Sequence, residues 1–234
     1  SPKESLGDAL KVILISPNFL MRVEDPPLPG NDQLISHYDM ASRLSYFLWA
    51  SAPDDELFLK AKQEKLQDSK VIRDQMTRML KDPKSLSLGR IFAGEWLSTD
   101  DVGPRIRKDP IDNPWCTESL MASMREETSL FFHSLILNNE PVRRLIDSDY
   151  TYLNEELAEF YRIRGVEGKK MRRVKIDTAQ RGGIFGHASA LATTSFPHRS
   201  SPVLRGTWIL TTLLGTPPPP PPPDVPEIDV GGGR

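Results

Sequence analysis

The fold is decided by residues 117–137, which read TESLMASMREETSLFFHSLIL. Apolar residues recur in this stretch at intervals of three and four, which is the spacing of one face of an α-helix. The stretch begins with Thr117, a residue type that caps helix N-termini well. It is the longest periodic segment of the chain, and it predicts a long helix.

The rest of the chain repeats this pattern in shorter segments. Several of them start at a residue that favours helix N-termini, such as Ser36, Asp54, Asp68 or Pro202. The predicted helices cover residues 2–15, 36–49, 54–66, 68–81, 83–97, 117–137, 155–161, 184–192 and 202–214, with a short helix from Pro141. Only residues 171–176 alternate between apolar and polar side chains in the manner of a strand.

These patterns predict a mainly α fold with at most a short β-hairpin, because one strand cannot form a sheet alone. We expect a helical, bundle-like N-terminal domain over residues 1–168 and a smaller α-rich C-terminal domain over residues 169–216. Residues 217–234 follow as a tail that begins with consecutive prolines. Such a run forms a stiff polyproline helix, so we expect the tail to act as a linker.

The composition argues against several classes of function. A net charge of −2 over 234 residues argues against a nucleic-acid partner, because binding to phosphates requires an excess of basic residues. No stretch approaches the ~20 apolar residues that cross a bilayer, so we expect no transmembrane segment. The single cysteine, Cys116, excludes an internal disulfide and a cysteine-rich zinc site, and we expect no metal site. The sequence contains no Cys-x-x-Cys-His motif, so this chain attaches no haem c covalently.

Basic residues in the C-terminal part indicate a binding site for an anion. Arg199 and Arg205 flank the start of the last predicted helix, where unpaired backbone N–H groups attract negative charge. The alternative is that Ser201 and Pro202 simply begin this helix as its N-cap and first residue. Both interpretations stay open at this point.

Two adjacent glutamates, Glu126 and Glu127, lie within the longest predicted helix. Consecutive residues of a helix point about 100° apart, so the two carboxylates do not form a catalytic pair with each other. We expect one of them to face inward toward an arginine, such as Arg43 or Arg181. The pairing would be either a structural ion pair or part of a catalytic site.

Residues 149–154, which read DYTYLN, combine polar and aromatic side chains. Asp149 and Asn154 are typical of turns and helix starts, which explains them without a function. The tyrosines and polar side chains of the same segment could also line a sugar-binding cleft.

Several stretches together resemble a known family. The most specific is ASRLSYFLW at residues 41–49, followed by PDDEL at residues 53–57. The others, in chain order, are LISPNFL at 14–20, FAGEWL at 92–97, REET at 125–128, DYTYLNE at 149–155, RGG at 181–183, TS at 194–195, SPV at 201–203, RG at 205–206 and LGT at 214–216. From about Leu10 to Pro226 the chain resembles the planctomycete-type paired domains of unknown function, PSD and PSCyt, of large exported cytochrome-c-like proteins.

This resemblance implies a place in a larger protein rather than a defined activity. Members of the family are exported, so we expect a periplasmic, extracellular or cell-surface location. We expect haem c on neighbouring domains of the full-length polypeptide and no cofactor in this chain, with a neighbouring haem domain as partner. The haem context implies a helical core module related to electron transfer, coupled to the oxidation of a polysaccharide-derived substrate.

The residues and the resemblance together supply the candidate site. The candidates for binding a substrate or an anion are Arg43, Asn154, Arg181, Arg199 and Arg205. The candidate catalytic carboxylates are Glu126 and Asp149. We expect these side chains to form a buried polar network that positions the haem domain or the substrate.

Two alternatives stand beside this interpretation. The chain could be a non-catalytic scaffold or a glycan-binding module at the cell surface. It could also be a hydrolase that uses Glu126 and Asp149, which requires roughly 5–10 Å between the two carboxyl groups. The sequence does not decide whether the chain is an enzyme.

Overall fold

The computed structural model describes residues 2–21, 35–177 and 181–219. Helices dominate these residues, which confirms the predicted mainly α fold. The α-helices are α1 (Pro2–Ile15), α2 (Pro17–Leu20), α3 (His37–Trp49), α4 (Asp55–Lys62), α5 (Ser69–Leu80), α6 (Gly94–Leu97), α7 (Glu118–Leu137), α8 (Arg144–Asp147), α9 (Glu155–Phe160), α10 (Ala188–Thr193) and α11 (Pro202–Trp208). Short 3₁₀ segments cover Pro83–Leu86 and Gly183–Gly186, and π-helical segments cover Leu88–Ala93 and Ile209–Leu213.

Among the described residues, no helix combines the length and apolar character that a membrane crossing requires.

One compact unit spans Ser1–Lys84 and contains α1 to α5. Its helices begin where the sequence predicts, because Ser36 and Asp54 accept hydrogen bonds from the backbone N–H groups three residues ahead. Trp49 lies in the core between α3 and α5, and its indole Nε1 donates to the Met79 carbonyl oxygen over 2.9 Å. The bond satisfies the one polar atom of a large buried ring.

The other compact unit, Ser85–Arg234, is built around α7. Helix α7 has as its N-cap Thr117, the residue at which the predicted segment begins, and it contacts the π-helical segment before α6, strand β1 (Tyr150–Leu153), α9 and α10. Gly89 lies against α7 so closely that a Cβ atom at this position would overlap the Ser129 carbonyl oxygen. Two apolar clusters form the core: one includes Leu120, Met121 and Met124 from the N-terminal half of α7, and the other includes Phe131 and Leu135 from its C-terminal half.

The structure contains the expected short hairpin. Strand β1 pairs antiparallel with β2 (Arg172–Lys175), and Thr151 lies opposite Val174. The second strand falls inside the predicted strand at residues 171–176. The first was predicted only as an extended turn into a helix, and it forms the other half of the pair.

Three predicted helices are more irregular in the structure. The one predicted over residues 202–214 consists of α11 followed by the π-helical segment Ile209–Leu213. The segment predicted as one helix over residues 83–97 consists of a 3₁₀ turn, a π-helical stretch and the short helix α6. The helix predicted over residues 184–192 is broken at His187, whose backbone is extended with φ −74° and ψ 134°. The break separates Gly183–Gly186 from α10 and allows the His187 side chain to enter the core, where it is almost fully buried.

The predicted division into domains at residues 168 and 169 stays a prediction. Along the chain, the boundary between the two compact units lies between residues 84 and 85. The residues on both sides of position 168 belong to the same unit. Of the predicted tail, only residues 217–219 lie within the described part of the chain, and they adopt no regular secondary structure.

Candidate functional site

A cavity of about 360 Å³ opens in the unit built around α7. Its inner surface is mostly apolar, and α7 contributes Met121 and Met124 while α10 contributes Leu191. Trp115 and Phe160 form an aromatic wall, with ring centroids 4.9 Å apart and planes inclined by 28°. Pockets of this size with a few convergent polar groups are typical sites for small ligands.

Four cationic side chains line the same cavity, namely Lys108, Arg181, Arg199 and Arg205. Lys108 Nζ donates to the Phe196 carbonyl oxygen over 2.9 Å and to the Ser195 hydroxyl. Burial lowers the pKa of Lys108. Within residues 2–21, 35–177 and 181–219, no carboxylate forms an ion pair with any of these four cations. The cavity therefore holds positive charge that no described carboxylate neutralises directly.

Arg181 connects this cavity to a polar network inside the core. Its guanidinium carbon lies 3.8 Å from the centre of the Tyr161 ring, and its Nη1 donates to the Gly186 carbonyl oxygen over 2.5 Å. The Tyr161 ring also lines the cavity, whereas its hydroxyl points into the protein interior and accepts a hydrogen bond from the backbone N–H of Ala188.

The centre of the interior network is Glu127, which is fully buried. Its two carboxyl oxygens accept hydrogen bonds from the Tyr161 hydroxyl, over 2.5 Å, and from the Thr151 hydroxyl, over 2.7 Å. Burial disfavours the charged form and raises the pKa of Glu127 to about 8, although these bonds and the charge of Arg181 act in the opposite direction. Burial and the neighbouring Glu127 also raise the pKa of Tyr161 well above its ordinary value.

His187 completes the network on the opposite side of Glu127. Its Nε2 lies 3.9 Å from the nearer Glu127 oxygen and 3.3 Å from the Thr151 hydroxyl, and its Nδ1 is hydrogen-bonded to the Thr128 hydroxyl over 3.0 Å. Burial lowers the pKa of His187 to about 3, and the charge of Arg181 acts in the same direction. The imidazole is therefore neutral near pH 7, and its contact with Glu127 is not an ion pair of full charges.

The structure brings three of the five predicted binding residues together. Arg181, Arg199 and Arg205 all line the cationic cavity. Arg43 lies exposed on α3 in the other compact unit. Asn154 caps α9 by accepting from the Leu157 N–H over 3.0 Å, which is the helix-start role considered for it.

Glu126 and Asn154 line a separate cavity of about 690 Å³. Glu126 forms an ion pair with Arg90 over 2.8 Å, and the other candidate carboxylate, Asp149, forms one with Arg144 over 3.1 Å. Asp149 does not line either of the two cavities described so far. The catalytic role considered for this pair stays a prediction, and each carboxylate has an arginine partner that accounts for it structurally.

The start of α11 confirms the N-cap interpretation of its sequence, and the anion-binding interpretation stays a prediction. Ser201 accepts a hydrogen bond from the Leu204 N–H over 3.2 Å, so it is the N-cap, and Pro202 is the first helical residue. Arg205, in the last turn of this short helix, nevertheless lines the cavity. The positive charge of the site thus comes from arginine and lysine side chains.

Sequence reasoning missed Lys108, Glu127, Tyr161 and His187 as parts of one site. Glu127 carried a signal, because it falls on the apolar face of α7, seven residues after Leu120 and three after Met124. Lys108 lies in a proline-rich polar loop, where no local pattern indicates a neighbour 88 residues away.

Within the described residues, no group of three or more His, Cys, Asp or Glu side chains is arranged to hold a metal ion.

Comparison with known proteins gives two matches, both to families of unknown function. A family model described as PSD4, protein of unknown function (DUF1592), matches residues 35–163. A second, described as PSCyt3, protein of unknown function (DUF1588), matches residues 181–232. No curated protein matches the chain, and no solved structure matches it.

Proposed function

The chain belongs to the PSD4 family, and from this premise we propose that it is the ligand-binding helical module of an exported multi-domain protein whose other domains carry haem c. The family names support the second part of the proposal, because these planctomycete-type domains are associated with cytochrome c-like proteins. The first part rests on the cavity described above.

The observation that carries the proposal is the set of four cations around an apolar cavity. Lys108 and Arg205 are half-buried in its wall, where water screens their charge less than at an open surface. Placing these cations in one cavity wall without an ion pair to any described carboxylate costs free energy, which a bound anion recovers. Guanidinium groups also match carboxylate, sulfate or phosphate oxygens in geometry. The ligand we propose is therefore a small anion with an organic body.

The haem domain gives this binding site a role. A ligand held in the cavity would be oxidised, with haem c on a neighbouring domain of the same polypeptide accepting its electrons and solvent water taking up the protons it releases. This module would fix the ligand in place. The polysaccharide-derived substrate that the family resemblance implies would have to carry an anionic group to be this ligand. The function would be exercised in the periplasm or at the cell surface.

Calorimetric titration of the chain with sodium salts of small organic acids tests the binding site. Arg205→Ala should weaken binding of an accepted acid about tenfold, the loss expected of one charge-assisted hydrogen bond. Arg164→Ala removes an exposed arginine that does not line the cavity, and it should leave the affinity unchanged. Equal affinities of the two variants, or no binding of any acid, would contradict the proposal and favour a scaffold.

A test of the proposed electron transfer from the ligand to haem c requires the full-length protein. Its absorption spectrum should show haem c, and addition of an acid that the cavity binds should reduce the haem under anaerobic conditions. The full-length Arg205→Ala variant should retain the haem spectrum and lose reduction at the same acid concentration. A full-length protein without haem, or one whose reduction is unaffected by Arg205→Ala, would overturn this part.

A further inference from the structure

The cavity also indicates which organic body its ligand carries. Resting on the anion-binding function proposed above, we propose that the ligand is an aromatic carboxylate, held with its ring among the apolar side chains and its carboxylate against the cations. The juxtaposition that carries this assignment is the stacked pair Trp115 and Phe160 in the same cavity as Arg181, Arg199 and Arg205.

The aromatic wall is open to a ligand. Trp115 is 47% exposed although it stacks on Phe160, so much of its ring remains available. Tryptophan is a large apolar residue whose exposed faces commonly contact ligand rings in stacked or edge-to-face geometry. A third aromatic residue, Phe196, lines the cavity beneath the Arg199 guanidinium, at 4.8 Å from the ring centre. Arg199 thus places positive charge directly beside the aromatic surface.

The inner surface suits an aromatic ring better than a sugar ring. Met121, Met124 and Leu191 offer no hydrogen bond to the hydroxyl groups that surround a sugar, and a buried hydroxyl without a partner is costly. The two thioethers are favourable neighbours of an aromatic ring. Of the neutral polar groups nearby, the Ser195 hydroxyl is bound to Leu191 and Ala192 carbonyl oxygens.

The hydroxyl group of Tyr161, another residue that lines the cavity, also has its hydrogen-bond partners within the protein. The Tyr161 hydroxyl is directed to Glu127 and to the backbone of Ala188, away from the cavity that its ring lines. Apart from the polar side chains of Asn113, His198 and Ser200, the wall offers a ligand mostly apolar and aromatic surface together with the N–H groups of cations. One carboxylate on a flat apolar body uses both, and it leaves few polar atoms unpaired.

The test compares three probes of similar size by calorimetric titration of the chain. They are 2-naphthoate, glucuronate, which has the same charge and the same number of non-hydrogen atoms, and the neutral 2-naphthamide. We expect 2-naphthoate to bind at least tenfold more tightly than either of the others. Trp115→Ala should weaken 2-naphthoate about three- to tenfold, the range expected for loss of one aromatic contact. Phe58→Ala, which removes an exposed ring outside the cavity, is the matched control and should change nothing.

The outcomes separate this inference from the function on which it rests. If glucuronate binds as tightly as 2-naphthoate or more tightly, the aromatic ligand class is wrong and the anion site stands. If 2-naphthamide equals 2-naphthoate, or if neither acid binds, both proposals are overturned. If Trp115→Ala fails to fold, Phe160→Leu replaces it, and an unchanged affinity for 2-naphthoate in the folded variant contradicts the aromatic wall.

Discussion

Replacing the buried Glu127 by glutamine should remove a pH dependence of stability. The pKa of Glu127 is about 8 in the folded chain against an ordinary value of 4.5, because burial disfavours the carboxylate. Between these two pH values the folded state holds a proton that the unfolded state releases. By linkage, the free energy of unfolding falls as the pH rises through this interval, by about 1.4 kcal/mol per pH unit.

His187 acts in the opposite direction. Its pKa is about 3 in the folded chain against an ordinary value of 6.5, so the unfolded state binds the extra proton and stability rises with pH in that interval. The slopes of Glu127 and His187 cancel where the intervals overlap. We therefore expect a level stability between about pH 4.5 and 6.5, and a loss of roughly 2 kcal/mol on going up to pH 8 or down to pH 3.

Urea unfolding at a series of pH values measures these slopes. The wild type should lose stability between pH 6.5 and 8, and Glu127→Gln should not, because glutamine keeps the hydrogen-bonding shape and does not titrate. Glu126→Gln is the control, since it changes the neighbouring carboxylate, which lies in the ion pair with Arg90. A wild type of constant stability above pH 6.5, or the same loss in Glu127→Gln as in Glu126→Gln, would refute the assignment of a protonated buried carboxyl.

Three further predictions, the first with a matched control, test helix packing, electrostatics and helix capping. Gly89→Ala should destabilise the chain by about 3 kcal/mol in thermal unfolding, because the added methyl group must displace the backbone of α7. The control Gly7→Ala places its methyl group in open space and should stabilise the chain by roughly 0.5–1 kcal/mol. Equal effects of the two substitutions would contradict the close approach of Gly89 to α7. Arg181→Gln removes a positive charge that lowers the pKa of Glu127, so the pKa of Glu127 should rise further. The loss of stability with rising pH should then extend above pH 8 in the same urea series. If stability depends on pH in this variant as it does in the wild type, Arg181 and Glu127 are not coupled. Ser201→Ala should cost about 1 kcal/mol by removing the N-cap of α11, and a neutral effect in urea unfolding would contradict the cap.

Helix α7 shows what the sequence reveals and where local patterns end. Its start at Thr117 and its length follow from one cap and a regular apolar spacing, both of which depend only on neighbouring residues. The same spacing places Glu127 on the apolar face and Glu126 beside it. The prediction that one of the two faces inward toward an arginine agrees with the burial of Glu127 and with the charge of Arg181 near it. Helix phase alone therefore distinguishes Glu127, on the apolar face, from the candidate Glu126 beside it.

The irregular segments depended on contacts that no local pattern contains. The π-helical stretch that includes Gly89 lies against α7, and the spacing within residues 83–97 is that of an ordinary helix. The break at His187 likewise follows from burial of its ring among Thr128, Thr151 and Glu127, which come from α7 and β1. Tertiary contacts of this kind override helix propensity, which is weak per residue.

The proposed anion site and the buried network form one electrostatic system, because Arg181 belongs to both. Its charge lowers the pKa of Glu127, and an anion bound in the cavity would offset part of that charge. Binding would then favour the protonated form of Glu127, and by reciprocity protonation of Glu127 would favour binding. Because the pKa of Glu127 is already about 8, this coupling is expressed above neutral pH, where binding of the anion should be accompanied by proton uptake. The position of Tyr161, with its ring in the cavity and its hydroxyl on Glu127, provides the physical connection between the two sites.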